Sequence, residues 1–198
     1  MEYFFYIFLV LASIAGLTFI VERGLALRWR KVIPLEVELA VENPDRRMEL
    51  PAFRKLCERN PSALSRVLAT AVDHLDWPRG ENADAIQTRA RYEVTRLERG
   101  LVILEIIVGI APLLGLVGTV YGLIVLFGDM NSASAGDNAT FARGIAIALR
   151  STLMGLMVAI PSLIAWSYYN KKVETLAVEM ETLCDQFLRR QYHNGSGS

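Results

Sequence analysis

The sequence predicts an all-α integral membrane protein with three transmembrane helices, the second and third long enough to extend into a cytoplasmic helical collar. Three observations carry this: the charges are segregated, three blocks are nearly free of them, and the stretches beside those blocks keep helical spacing. The 198 residues are 53% apolar with a mean hydropathy of +0.30, and 21 basic and 21 acidic side chains cancel. Residues 1–21 hold one charge, 22–100 hold 28, 101–170 hold five, and the tail from 171 holds eight. A soluble domain spreads charge along every amphipathic element, whereas a bilayer imposes uncharged blocks between charged ones. The same composition argues against a secreted disulfide scaffold, a disordered chain and a basic nucleic-acid binder.

The first span is expected over residues 1–22. Tyr3 to Val21 carries no charge and matches the length a helix needs to cross roughly 30 Å of hydrocarbon. A cleaved signal peptide fits poorly, since no positive region precedes the block and no small-x-small site follows it. Arg23, Arg28, Arg30 and Lys31 follow instead, as at a cytoplasmic exit, and the helix is expected to continue past Glu22 as an amphipathic stem with Trp29 near the interface.

Residues 23–104 read as a cytoplasmic helical region. Prolines at 34, 44, 51, 61 and 78 punctuate it, and apolar residues recur at helical spacing: Leu35 and Leu39; Phe53, Leu56 and Cys57; Leu64, Val67, Leu68 and Ala71. From about Asn82 the alternating charges have no breaker before Gly100, which predicts a helix continuing into the second span. That span is placed at 105–128 and the third at 143–170, with a polar loop at 129–142 between them. Residues 171–194 extend the third span as an amphipathic helix of roughly five turns. The closing GSGS, 195–198, reads as a linker remnant outside the fold. Of the 21 Lys and Arg, 15 fall between the first two spans and four after the third, which predicts a periplasmic N-terminus and loop and a cytoplasmic C-terminus.

Enzyme chemistry is not expected. Cys57 and Cys184 read as reduced core thiols, His74 and His193 stand apart, and neither a phosphate loop nor a nucleophile elbow occurs, so no metal, cofactor or catalytic residue is assigned. The chemistry left is inside the membrane. The second span carries Pro112, Gly115, Gly118, Thr119 and Gly122, and the third carries Gly144, Ala148, Thr152, Gly155 and Ala159. Such small-residue stripes let helix backbones approach closely, and a threonine on the stripe can bond across helices or meet a passing ion or a partner's charge.

At these residues the chain resembles a family. APLLGLVGTVYGLI, the preceding ERG, the polar loop after FGD, and RGIAIALRSTLMGLMVAIPSLIAWSYYN are similar to the ExbB/TolQ branch of the MotA/TolQ/ExbB proton-channel proteins, closely so over residues 98–170. The resemblance implies a bacterial inner-membrane motor driven by proton motive force. Its subunits form a homopentameric ring in lipid, with the second and third spans lining a lumen. Two copies of a single-span ExbD/TolR-like partner, each with a transmembrane aspartate, occupy the lumen, and proton flow is converted into mechanical work on the cell envelope, such as energising outer-membrane transport. Carried over by motif, Thr119 and Thr152 would meet the partner's carboxyl and help form the proton path, and Pro112 and Pro161 match the family's helix prolines.

The chain departs from the pattern at Ile147, where many relatives place an acid, and Arg150 follows three residues later. By helical rise Arg150 lies roughly 9 Å below the outer end of the span, shallow enough to snorkel to headgroups. The alternative makes it a charge that tunes the proton route. Glu105, at the cytoplasmic end of the second span, is either an interfacial carboxylate, solvated or paired with Arg99 or Lys171, or a proton exit. Besides the motor, the residues leave open a membrane scaffold without ion transport, which Ile147 favours, and a motility stator of the same superfamily, which usually has four spans.

Overall fold

The computed structural model describes the backbone of residues 2–43, 49–130 and 138–195, and among these every regular element is helical. The helices are α1 (Glu2–Ala26), α2 (Trp29–Val32), α3 (Leu35–Glu42), α4 (Leu50–Arg59), α5 (Ala63–Asp73), α6 (Arg79–Glu98), α7 (Leu101–Met130) and α8 (Asn138–Gly195). Three of them, α1, α7 and α8, contain stretches long and apolar enough to cross a membrane: Ile7–Ala26, Leu101–Gly128 and Gly144–His193. Pro44, half of the expected 129–142 loop (131–137) and the closing residues 196–198 lie outside the described residues, as do the side chains of Asp129 and Arg143.

The chain divides into two compact units. The first holds Met1–Arg23 and Gly100–Tyr168, the spanning parts of α1, α7 and α8. Its interior is narrow: Leu9 of α1, Ile107 and Ala111 of α7 and Ala159 of α8 are buried together. Its outside is apolar, with Ile7, Val10, Leu11, Ile14, Leu17 and Val21 exposed along α1 alone. Exposed apolar side chains at this density are what a lipid solvent calls for. Helix α1 comes close to both partners at Gly16, where an added Cβ would lie 3.1 Å from Ser162 Oγ and 3.8 Å from Ile107 Cδ1.

The second unit holds Gly24–Arg99 and Tyr169–Ser198 and has a water-type core. Val37, Val41, Phe53, Leu64, Val67, Leu68 and Ile86 pack with Leu176, Met180, Leu183 and Phe187 of α8. The Phe53 and Phe187 rings stack at 5.0 Å. Full burial of each large side chain is worth about 1.5–3 kcal/mol, so this cluster dominates the unit's stability. Proline and serine set the element limits. Pro34 and Pro78 take extended conformations immediately before α3 and α6, Pro51 lies in the first turn of α4, and Ser62 Oγ caps α5 by accepting the Ser65 N–H at 3.1 Å.

Two expectations need correction. Helix α1 does run past Glu22, but only to Ala26; the chain turns at Leu27, which is fully buried, and Arg28 is extended, so Trp29 begins a separate helix, α2. Nor does α6 run unbroken into α7. It begins at Arg79, before Asn82, and the helices are separated at Arg99 and Gly100. The Arg23 side chain occupies the space where a Gly100 Cβ would stand.

Candidate functional site

The seam between α7 and α8 is built from the small residues of both. Gly115 faces the backbone of α8, where a Cβ would meet Ser151 O at 3.0 Å and the Thr152 and Gly155 Cα atoms at 3.1 and 3.4 Å. A Cβ on Gly155 would lie 2.6 Å from Ala111 O, one on Gly118 would lie 2.7 Å from Ser151 Cβ, and one on Gly122 would meet Ala148 Cβ at 3.2 Å. Gly144 takes Leu126 into the same kind of gap. Ala159 is buried against α1 and α7. Pro112 and Pro161 both stand inside their helices. With no hydrophobic force between helices in lipid, such backbone approach and the dispersion it allows supply the association.

This closeness brings Thr119 and Thr152 together. Thr119 Oγ1 is within hydrogen-bond reach of its own helix at Gly115 O (3.1 Å) and of the facing helix at Ala148 O (3.0 Å), and the two threonine hydroxyls bond each other. Thr152 Oγ1 also has Gly115 O at 3.5 Å. Both residues are half-buried. The result is a neutral cluster of hydroxyl and carbonyl oxygens at the middle of two apolar spans.

The other residues singled out from the sequence stay apart from this cluster. Glu105 is exposed near the start of α7, on a face shared with Val102, Ile106, Gly109 and Leu113. Arg150 is exposed on α8, and Ile147 is half-buried with its carbonyl 3.3 Å from Ser151 Oγ. Lys171, considered as a mate for Glu105, pairs with Glu174 at 2.8 Å. Among the described residues no group of three or more His, Cys, Asp or Glu gathers as metal ligands would.

Sequence reasoning missed three features. Ser151 and Ser162 are buried on α8, and they extend the small-residue stripe at the same spacing, a signal that was available. Gly16, the small residue that α1 offers Ser162, was marked only by Ala12 four residues before it and Ala15 beside it, a stripe left unread. Away from the spans, Glu93 is 1% exposed and held by Arg66 (2.8 and 2.6 Å) and Arg89 (2.9 Å). Burial alone would raise its carboxyl, but the Arg66 hydrogen bonds and the charges of Arg66, Arg89 and Arg96 outweigh it and hold the group below the ordinary value.

Comparison with known proteins places this seam in context. The MotA/TolQ/ExbB proton channel family matches residues 59–182, well over half the chain and all of the seam. The chain is 42% identical over 81 residues to the biopolymer transport protein ExbB of Helicobacter pylori, covering 41% of this chain and 56% of that one. It is 36% identical over 164 residues to the putative biopolymer transport protein ExbB-like 1 of Synechocystis, covering 80% of this chain and 63% of that one. Against the Tol-Pal system protein TolQ of Pseudomonas aeruginosa it is 34% identical over 114 residues, 56% of this chain and 49% of that one. The chain thus spans between about half and two thirds of the length of these relatives.

Proposed function

The chain belongs to the MotA/TolQ/ExbB proton channel family, ExbB/TolQ branch, and from that we propose that it is the ring subunit of a proton-motive-force-driven motor in a bacterial inner membrane. Five copies form the ring, and two copies of a single-span, ExbD/TolR-like protein with a transmembrane aspartate occupy its centre. The N-terminus and the 129–142 loop are periplasmic and the second unit is cytoplasmic. Proton flow through the centre drives work on the cell envelope, with outer-membrane transport as the first candidate. The bonded pair of Thr119 and Thr152, the polar point where α7 and α8 meet in the spans, supports this reading most directly. It offers a mid-membrane carboxyl hydrogen-bonding groups where lipid offers none. Glu105, on the open face of α7, serves as the cytoplasmic proton exit, and Arg150 tunes the outer half of the route.

The test is co-expression with an ExbD/TolR-like partner, native mass measurement, and proton flux in liposomes. A five-to-two assembly whose flux falls roughly a hundredfold in Thr119→Val or Thr152→Val, with assembly intact, supports the motor. Ile147 in place of an acid favours a second reading, a scaffold without transport. An intact assembly with no flux above that of the double threonine variant would establish the scaffold instead.

A further inference from the structure

In the second unit, α6 and α8 do not close on each other. Helix α6 leads into the second span and α8 leads out of the third, so they run in opposite directions, and a cavity of about 670 Å³ lies open between them. Its floor is Ala83, Ala90 and Val94 of α6 and Ala177, Cys184 and Leu188 of α8. On both helices the lining includes steps of four, three and four residues, 83–87–90–94 and 177–181–184–188, the spacing of a face that packs along a further helix. The alanines are too short to bridge the gap. Acids dominate the rim: Asp84, Glu181 and Asp185 stand there against Arg91, and Glu174 lies on the same side of α8.

Helix α8 also carries the complement. About 100° around it from the groove, Lys171, Thr175, Val178, Thr182 and Arg189 form an outward stripe, all exposed, Val178 by 59%. Short side chains fill the middle of the stripe, and its charges are basic.

We propose that the groove takes this stripe of α8 from the neighbouring copy of the chain. The inference rests on the ring reading above and adds which surfaces the copies join. A copy related by rotation about the membrane normal is not displaced along it, so residues of one number stand at one height in every subunit. Groove and stripe must therefore match level by level, and they do. Ala90 lies ten residues before Gly100 and Val178 nine after Tyr169, counted from where each helix meets the first unit, so the neighbour's Val178 enters beside Ala90 and Ala177. The neighbour's Lys171 meets Glu174, and its Arg189 meets Asp84 and Asp185. Within one helix Lys171 and Glu174 already pair at 2.8 Å and Arg189 and Asp185 at 2.7 Å, so the members of each pair are level. A head-to-tail contact closes into a ring when its two faces differ in direction by the ring's interior angle, about 108° for five subunits. The separation of groove and stripe around α8 is close to that.

The experiment co-expresses two single variants of the full chain in one membrane, Val178→Cys and Ala90→Cys, each with its own tag, oxidises them with copper phenanthroline and measures cross-linked dimers that carry both tags. The expected yield is roughly tenfold above that of Val178→Cys with Ala83→Cys, because Ala83 lies on the same groove about 10 Å further along α6. The unaltered chain, whose cysteines are buried, should give no dimer. Mixed dimers that form at Ala83 as readily as at Ala90, or at neither while native mass still gives an assembly, overturn the contact and leave the motor reading standing. If the chain stays monomeric by native mass, both fail.

Discussion

The glycines of the spans fall into two groups that a single methyl distinguishes. Gly155 and Gly118 have neighbours at 2.6 and 2.7 Å from a would-be Cβ, while Gly109 and Gly128 have nothing within 4 Å. Gly155→Ala should cost about 1–3 kcal/mol by forcing α7 and α8 apart, whereas Gly109→Ala should gain up to about 1 kcal/mol of helix propensity. Thermal melts in detergent read both, and equal effects would refute the seam's geometry. Glu93 gives the second residue-scale expectation. Folding lowers its carboxyl, so its contribution is fully present above the unfolded value near about 4.3 and is lost as pH falls through the lower folded value. Glu93→Gln should cost about 1–2 kcal/mol at neutral pH, kept small because Arg66 and Arg89 are each about a third exposed. It should also flatten the acid limb of a pH–stability profile. The sequence did not reveal this cluster, because Arg66 and Glu93 are 27 residues apart and Glu93 sits in a charged stretch that reads as a solvated face.

At the scale of elements, the end of α8 is fastened by polar groups. Arg190 donates to the carbonyls of Val41 and Glu42 at the end of α3. Tyr192 Oη donates to Trp77 O at 2.8 Å and accepts from Asn82 Nδ2 at 3.1 Å. Tyr192→Phe should cost about 1 kcal/mol, read as roughly fivefold faster amide exchange over the last two turns of α8; unchanged exchange would show that the apolar contacts alone hold the turn. The three spans were legible because a bilayer tests each helix singly, by length and charge. The Thr119 and Thr152 positions were legible for a related reason, since a small-residue stripe marks the packed side of a membrane helix. Which atoms the hydroxyls bond was not, because that depends on the register of α7 against α8. The end of α1 at Ala26 was hidden for the same cause: the chain turns where Leu27 is buried, and burial is a property of the partners and not of the segment.

For the molecule as a whole, the two units answer to different solvents. The first turns its apolar surface outward, and the second encloses Cys57 and Cys184 in its core. Burial pushes these thiols up to about 11 and about 12, so thiolate formation opposes folding and the second unit should weaken as pH rises above about 9. At about pH 8, alkylation should proceed only through opening of that unit, at a rate set by its stability and accelerated by Glu93→Gln; fast labelling of the intact protein would contradict the core described here. The contact of Gly16 with Ser162 and Ile107 bears on how the chain is made. Helix α1 leaves the ribosome before α8, and Ser162 follows it only after well over a hundred further residues. At roughly 5–20 residues per second, α1 waits on the order of ten seconds in the bilayer before that docking surface exists. A span without a charge between residues 7 and 21 can bear such an interval alone, and the approach at Gly16 forms only after it.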